Sequence, residues 1–233
     1  MGYTLYKTEA APAIRGVLFD MDGLVLDTEK LYTRFWIEAC AHFGFSMSLE
    51  QALRMRAANR ALGRANILEF FGPQADYTAI RAKRIERMNA FIEENGIEAK
   101  PGIRELLHCL REWGIPTAIT SSSPVERIQT HLERVGLLEC FDRLCSGYDV
   151  PQGKPAPDIY LKGAAVLGLA PEECLALEDA PTGITAAYRA GCVTVMVPDQ
   201  DQPEVSTIAM LHAKADSLTD VIDLLQIWRL IAV

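Results

Sequence analysis

Between Pro101 and Pro198 the chain repeats one unit several times: a short apolar run, a polar turn, then an amphipathic stretch. IPTAIT (115–120), a short run near 143–145, CLALEDA (174–180) and VTVMVP (193–198) are the apolar runs. They are compact, contain β-branched residues and lack polar alternation, which is the pattern of strands buried on both faces. Residues 102–113, 125–135, 159–168 and 182–191 carry helical spacing, and Gly136, Gly168 and Gly191 stand at three of their ends. Strands alternating with helices predict a parallel sheet covered by helices, and right-handed crossovers make it an open α/β sandwich.

One further strand is set apart from this series. RGVLFD (15–20) has the same buried character and ends in an aspartate, yet the next strand lies beyond residue 100. The intervening segment is rich in Ala, Leu, Arg, Met and Glu, which favours helices. The expected helices are 28–43 and several within 48–95, with Gly63 and Gly72-Pro73 as breaks and RAKRIERMNAFIEE (81–94) ending at Asn95-Gly96. The expected organisation is a Rossmann-like three-layer α/β core formed by residues 1–27 and 101–233, with an all-helical domain inserted at 28–100. A terminal amphipathic helix is expected at 220–231. At roughly 150 residues per domain, 233 residues accommodate one large domain with an insert.

Open α/β sheets bind ligands beyond the carboxyl ends of their strands. Four such ends carry polar residues here: Asp20 and Asp22; Thr120 with Ser121, Ser122 and Ser123; Lys154 in the loop QGKPAPD; and Glu178 with Asp179. Carboxylates gathered on one rim repel unless a cation sits among them, and oxygen-only donors suit a hard cation such as Mg²⁺. Such a cation neutralises phosphate oxygens, and Lys154 adds a second positive charge. Ser121 and the amides that open the next helix suit a phosphate oxygen. A carboxylate can serve as a covalent nucleophile, and a second acid two residues on can carry the leaving-group proton. Each piece alone has a plainer reading: an acid capping a turn, a surface lysine, or serines capping 125–135. The four occurring in order on four strand ends point to phosphoryl transfer.

FDMDGLVLDTE, TSSS, GKPAPDIY and LEDAPTGITAA closely resemble the four motifs of the haloacid dehalogenase-like hydrolase superfamily, best its phosphoglycolate phosphatase and β-phosphoglucomutase-like branch. The resemblance implies Asp20 as the nucleophile forming an aspartyl-phosphate and Asp22 as general acid/base. It implies Ser121 as a phosphate-binding hydroxyl and Lys154 as the residue that steadies nucleophile and phosphate. Mg²⁺ would be held by Asp20, the Asp22 carbonyl and Asp179, with Glu178 bound directly or through water. The paired aspartates favour phosphoryl transfer over dehalogenation, and the helical insert would be a cap that selects substrate. Tyr32, Arg56, Arg60 and Ser122 are the candidate substrate contacts. Arg56, Arg60 and Arg64 recur at fourfold spacing and are expected on one helix face, where the plainer reading is a solvated face balanced by acids. Tyr32, Phe35 and Trp36 are expected either beside the substrate or packed inside the cap.

The resulting expectation is a Mg²⁺-dependent phosphatase acting on a small phosphomonoester such as a sugar phosphate. Two alternatives stand beside it: a sugar-phosphate mutase, and a non-catalytic binding or regulatory member. Tyr32 stands where the mutases have a histidine, and 53–64 lacks their glycine-serine-arginine signature. A net charge of −8, from 23 Lys+Arg against 31 Asp+Glu, argues against a nucleic-acid partner. Six cysteines without metal-type spacing, no secretory leader and no membrane-length apolar run lead to the expectation of a cytoplasmic protein with free thiols. The four histidines are scattered and earn no catalytic role. The expected assembly is a monomer or a weak homodimer.

Overall fold

The structure is a computed structural model that describes residues 2–7, 13–56, 60–199 and 202–231. Its strands are β1 (Tyr3–Leu5), β2 (Gly16–Phe19), β3 (Thr117–Ser121), β4 (Arg143–Ser146), β5 (Cys174–Glu178), β6 (Val193–Met196) and β7 (Ala213–Ala215). The helices are α1 (Glu29–His42), α2 (Leu49–Arg56), α3 (Arg60–Phe71), α4 (Tyr77–Asn95), α5 (Ile103–Glu112), α6 (Val125–Arg134), α7 (Asp158–Leu167), α8 (Pro181–Ala190), α9 (Val205–Ile208) and α10 (Leu218–Ile231). The chain forms two compact units, Met1–Leu26 with Ala99–Val233, and Asp27–Glu98.

The first unit is a seven-stranded sheet in the order β1-β7-β6-β5-β2-β3-β4. All pairs are parallel except β1 with β7. This is the α/β architecture expected from the strand–helix alternation. β2 lies between β3 and β5 because every connection after it is a helical crossover. Its four residues are wholly buried, as a central parallel strand covered on both faces must be. On one face Leu18, Ala118, Ala176 and Cys145 pack with Ile159, Tyr160 and Ala164 of α7 and with Ala186 and Ala187 of α8. Two glycines let those helices approach. A Cβ on Gly163 would lie 2.8 Å from a Thr120 methyl, and one on Gly183 would lie 1.9 Å from the Glu178 carboxyl carbon.

β1, β7 and α9 are absent from the sequence expectation. Tyr3–Leu5 and Ala213–Ala215 are too short for a periodicity to show, and Ala-Lys-Ala carries no β-branched residue.

The second unit is helical. Trp36, Ala39, Cys40, Met55, Ile67 and Ile80 form one apolar cluster, and Leu31, Phe35, Met88 and Ile92 form another. Phe35 and Trp36 are therefore core residues of this unit, 3% and 4% exposed. Asp76 starts α4 by accepting the Thr78 and Ala79 amide hydrogens at 2.8 and 3.2 Å. Gly96, with φ 79°, ends it.

One expectation fails in this unit. Gly63 is not a break but lies inside α3, buried, where a Cβ would sit 3.0 Å from the Tyr77 hydroxyl. It is there for close packing. Arg60 and Arg64 lie four apart on α3, and the link from Arg56 to them runs through 57–59, outside the described residues. Arg54 does show the charge-balanced surface, pairing through both guanidinium nitrogens with Glu69 at 2.8 and 2.9 Å.

Candidate active site at the carboxyl ends of the sheet

Strand register brings the site together. Phe19 pairs with Ile119 of β3 and with Leu177 of β5. The next residues in step are Asp20, Thr120 and Glu178. They share the parity of Leu18, Ala118 and Ala176, so their side chains face α7 and α8. Parallel strands are about 4.8 Å apart, which places the Asp20 and Glu178 carboxylates side by side. The Asp20 amide donates to the Leu177 carbonyl at 3.1 Å, and the Thr120 hydroxyl donates to the Phe19 carbonyl at 3.2 Å. These bonds fix the strand end that carries Asp20.

Lys154 enters from the loop between β4 and α7. Its Nζ donates to Asp20 Oδ1 and to Glu178 Oε1, both at 2.5 Å. The Tyr160 hydroxyl, from the first turn of α7, donates to the same Glu178 Oε1. The Lys154 ammonium also lies 5.1 Å from the centre of the Tyr160 ring. The Lys154, Asp20 and Glu178 side chains are 9%, 10% and 2% exposed, so these contacts are strongly felt.

One carboxylate oxygen from each of Asp20, Glu178 and Asp179 lies within 4.8 Å of the others, and all three residues are buried. Burial pushes the Asp20 carboxyl up to about 7; Lys154 draws it down, and Glu178 and Asp22 push it up. Burial opposes the charge on Lys154, but Asp20 and Glu178 hold its ammonium well above the usual lysine range. Asp20 and Glu178 share the Lys154 ammonium, and an all-oxygen donor set suits a hard divalent cation.

Asp22 stands at the shoulder of this cluster and is partly exposed. Its Oδ2 is 3.5 Å from the Ser123 hydroxyl, and its Oδ1 is 3.9 Å from Arg127 Nη2. The turn that carries it is closed by the Gly23 and Leu26 amides, which donate to Leu26 and Met21 carbonyls at 2.9 Å, with Gly23 at φ 87°. Ser121 ends β3 and is buried, and its oxygen accepts the Ser123 amide at 3.1 Å. The serines do not cap α6: its N-cap is Pro124, without a side-chain bond. The turn binds its own backbone instead.

Ser122 is exposed beside this turn. Tyr32 and Arg60 belong to the helical unit, where Tyr32 packs beside Leu31 and Phe35 with the Arg84 guanidinium 4.7 Å from its ring centre. The side chain of Arg56 lies outside the described residues. Asp20, Lys154, Glu178 and Asp179 are thus brought into one cluster, with Asp22 and Ser121 on the adjoining turns. Sequence reasoning passed over Tyr160, Gly183 and Arg127. Tyr160 had a signal: a buried tyrosine needs a partner for its hydroxyl, and it follows Lys154 closely in the chain.

All six cysteines are free thiols. Among the described residues no helix is long and apolar enough to cross a membrane.

The family model for haloacid dehalogenase-like hydrolases matches residues 14–191. Hexitol phosphatase A of Escherichia coli K12 is 33% identical over 208 residues, covering 88% of this chain and 93% of its own. The β-phosphoglucomutase of Bacillus subtilis 168 is 28% identical, covering 87% of this chain and 91% of its own. The crystal structure of a hydrolase from Deinococcus radiodurans R1, with bound phosphate and sodium, superposes with a TM-score of 0.75 at 28% identity, covering 94% of this chain and 98% of that one.

Proposed function

The chain belongs to the haloacid dehalogenase-like hydrolases, in their phosphatase and β-phosphoglucomutase branch, and from that premise we propose that it is a Mg²⁺-dependent phosphatase of a small phosphomonoester. The observation that carries the proposal is the buried cluster of Asp20, Glu178 and Asp179 around Lys154. Asp20, Glu178, Asp179 and the Asp22 carbonyl would hold Mg²⁺. When bound, the ion supplies the positive charge that lets a phosphate dianion approach these carboxylates.

In the reaction we assign, an Asp20 carboxylate oxygen attacks phosphorus as the ester P–O bond breaks, and Asp22 protonates the departing alkoxide. Asp22 then takes a proton from water. The water oxygen attacks the aspartyl-phosphate, the Asp20–phosphorus bond breaks, and inorganic phosphate and the Asp20 carboxylate are regenerated. Lys154 steadies Asp20 and the phosphate oxygens. The Ser121 hydroxyl, whose oxygen already accepts from Ser123, donates to a phosphate oxygen. We assign the helical unit the role of a cap that selects the ester, with Tyr32, Arg56 and Arg60 as its contacts and Ser122 as the core's. Hydrolysis rather than mutase transfer is favoured by tyrosine in place of histidine at position 32.

The test is phosphate release from a panel of small phosphomonoesters, with Mg²⁺ and with EDTA, for wild type and Asp20→Asn. Turnover that needs Mg²⁺ and vanishes in Asp20→Asn is expected. Turnover that survives in Asp20→Asn refutes the covalent route. No release from any ester, with interconversion of hexose phosphates in the presence of a bisphosphate, establishes the mutase instead.

A further inference from the structure

Tyr160 has no part in the chemistry above, yet its hydroxyl is wholly buried and reaches one oxygen of the site. Its ring is explained by packing: it lies with Leu18, Ala118, Ala164 and Ala186, and phenylalanine would fill the same space. The hydroxyl is not explained by packing. A buried hydroxyl without a partner is strongly disfavoured. Its partner is Glu178 Oε1, the oxygen that also accepts from Lys154. The phenol O–H is the donor and the carboxylate oxygen the acceptor.

Glu178 is confined on three sides. Lys154 and Tyr160 hold Oε1, and α8 at Gly183 lies against one face of the carboxylate, where a Cβ would lie 1.9 Å from the Glu178 carboxyl carbon. Both donors take the same oxygen, so Oε2 is the oxygen that neither of them occupies. Partners of this kind fix the orientation of a ligating carboxylate, and their loss weakens metal binding about 10–100-fold.

We propose that Tyr160 is a positioning residue for the metal site: its hydroxyl, with the Lys154 ammonium, fixes Glu178 Oε1 so that the other carboxylate oxygen is presented to a divalent cation. The proposal rests on the Mg²⁺-phosphatase reading above. It predicts that Tyr160 sets the affinity for Mg²⁺ while leaving the nucleophile and the acid/base in place.

The experiment uses the full chain and Tyr160→Phe, which keeps the ring and removes only the hydroxyl. MgCl₂ is titrated calorimetrically into phosphate-free protein, melting is followed in EDTA, and turnover is measured against Mg²⁺ concentration. The expected result is a Kd for Mg²⁺ weakened about tenfold or more, an equal shift in the half-saturating Mg²⁺, and a kcat at saturating Mg²⁺ within about threefold of wild type. Melting in EDTA falls through the loss of one buried bond, a drop read separately from the change in Mg²⁺ affinity. A Tyr160→Phe protein that binds Mg²⁺ as tightly as wild type overturns the proposal, whether or not it melts lower, because a packing defect does not select the metal. If wild type itself neither binds Mg²⁺ nor releases phosphate, the phosphatase reading fails and this inference falls with it.

Discussion

Gly183→Ala tests how tightly the site is built. A methyl carbon there would lie 1.9 Å from the Glu178 carboxyl carbon and Oε1, and 2.2 Å from Oε2. Ordinary contact begins near 3.4 Å, so the carboxylate must retreat by about 1.5 Å. Glu178 is 1% exposed and is bonded to Lys154 at 2.5 Å and to Tyr160, so it has nowhere to retreat without breaking those bonds. Overpacking costs about 1–3 kcal/mol, and each buried bond to a charged group contributes about 1.5–3 kcal/mol. Alanine's better helix propensity offsets about 1 kcal/mol. The net loss is about 3–8 kcal/mol, read by urea unfolding in EDTA, together with a fall in phosphate release of about 100-fold or more. Gly153→Ala is the control. It lies next to Lys154 but has nothing within 4 Å of its Cβ and no positive φ. Its stability is expected within about 0.5 kcal/mol of wild type. A Gly183→Ala protein as stable and as active as Gly153→Ala would refute the packing argument, since the carboxylate would then have room that the geometry denies it.

Two further predictions concern charge. Lys154→Met removes the cation between Asp20 and Glu178 and leaves two buried carboxylates in contact range of each other. Stability in EDTA is expected to fall by about 3–5 kcal/mol by urea unfolding, and Mg²⁺ to restore part of it; an unchanged unfolding midpoint would count against a role for Lys154 between Asp20 and Glu178. His212 gives a pH dependence far from the site. Burial, and then Lys7, lower its pKa from 6.5 to about 4, and its Nδ1 accepts the Thr194 amide at 3.1 Å, which requires the neutral ring. The unfolded chain therefore binds more protons than the folded one between these values. The stabilisation is complete above pH 6.5 and is lost as pH falls towards 4. At pH 5 the shift is worth about 2 kcal/mol, and about half of that for a partly exposed ring. His212→Gln should flatten the urea midpoint between pH 7.5 and 5 by that amount, and an unaltered slope would assign the acid sensitivity elsewhere.

The sheet was legible where strands were buried on both faces, because a short, continuous apolar run flanked by turns fits the interior of a parallel sheet better than any surface position. Val17–Phe19 and Leu175–Leu177 are of this kind. It was not legible at the edge, where β1 and β7 pair over three residues whose side chains carry no period. The cluster of Asp20, Lys154, Glu178 and Asp179 could be anticipated because parallel strands end on one rim. The register that makes Asp20 and Glu178 neighbours could not, since it depends on the lengths of crossovers. Gly63 misled for a related reason. A glycine in a helical stretch reads as a break, but here it admits the Tyr77 ring, a contact between residues far from each other in pattern.

The chain leaves the sheet unit and returns to it at a single doorway. Leu26 and Ala99 are bridged antiparallel, the Lys100 amide donates to the Val25 carbonyl at 2.9 Å, and the Asp27 amide donates to the Glu98 carbonyl at 2.9 Å. To the sheet, everything from Asp27 to Glu98 is therefore the tip of a hairpin. The entropy of closing such a tip grows only with the logarithm of its length, so its size and content are nearly indifferent to the fold that carries it. The helical segment is in this sense a cassette. A different one spliced between the same two bridged residues would inherit an intact set of carboxylates and their lysine, which makes the chemistry heritable apart from whatever the cassette selects.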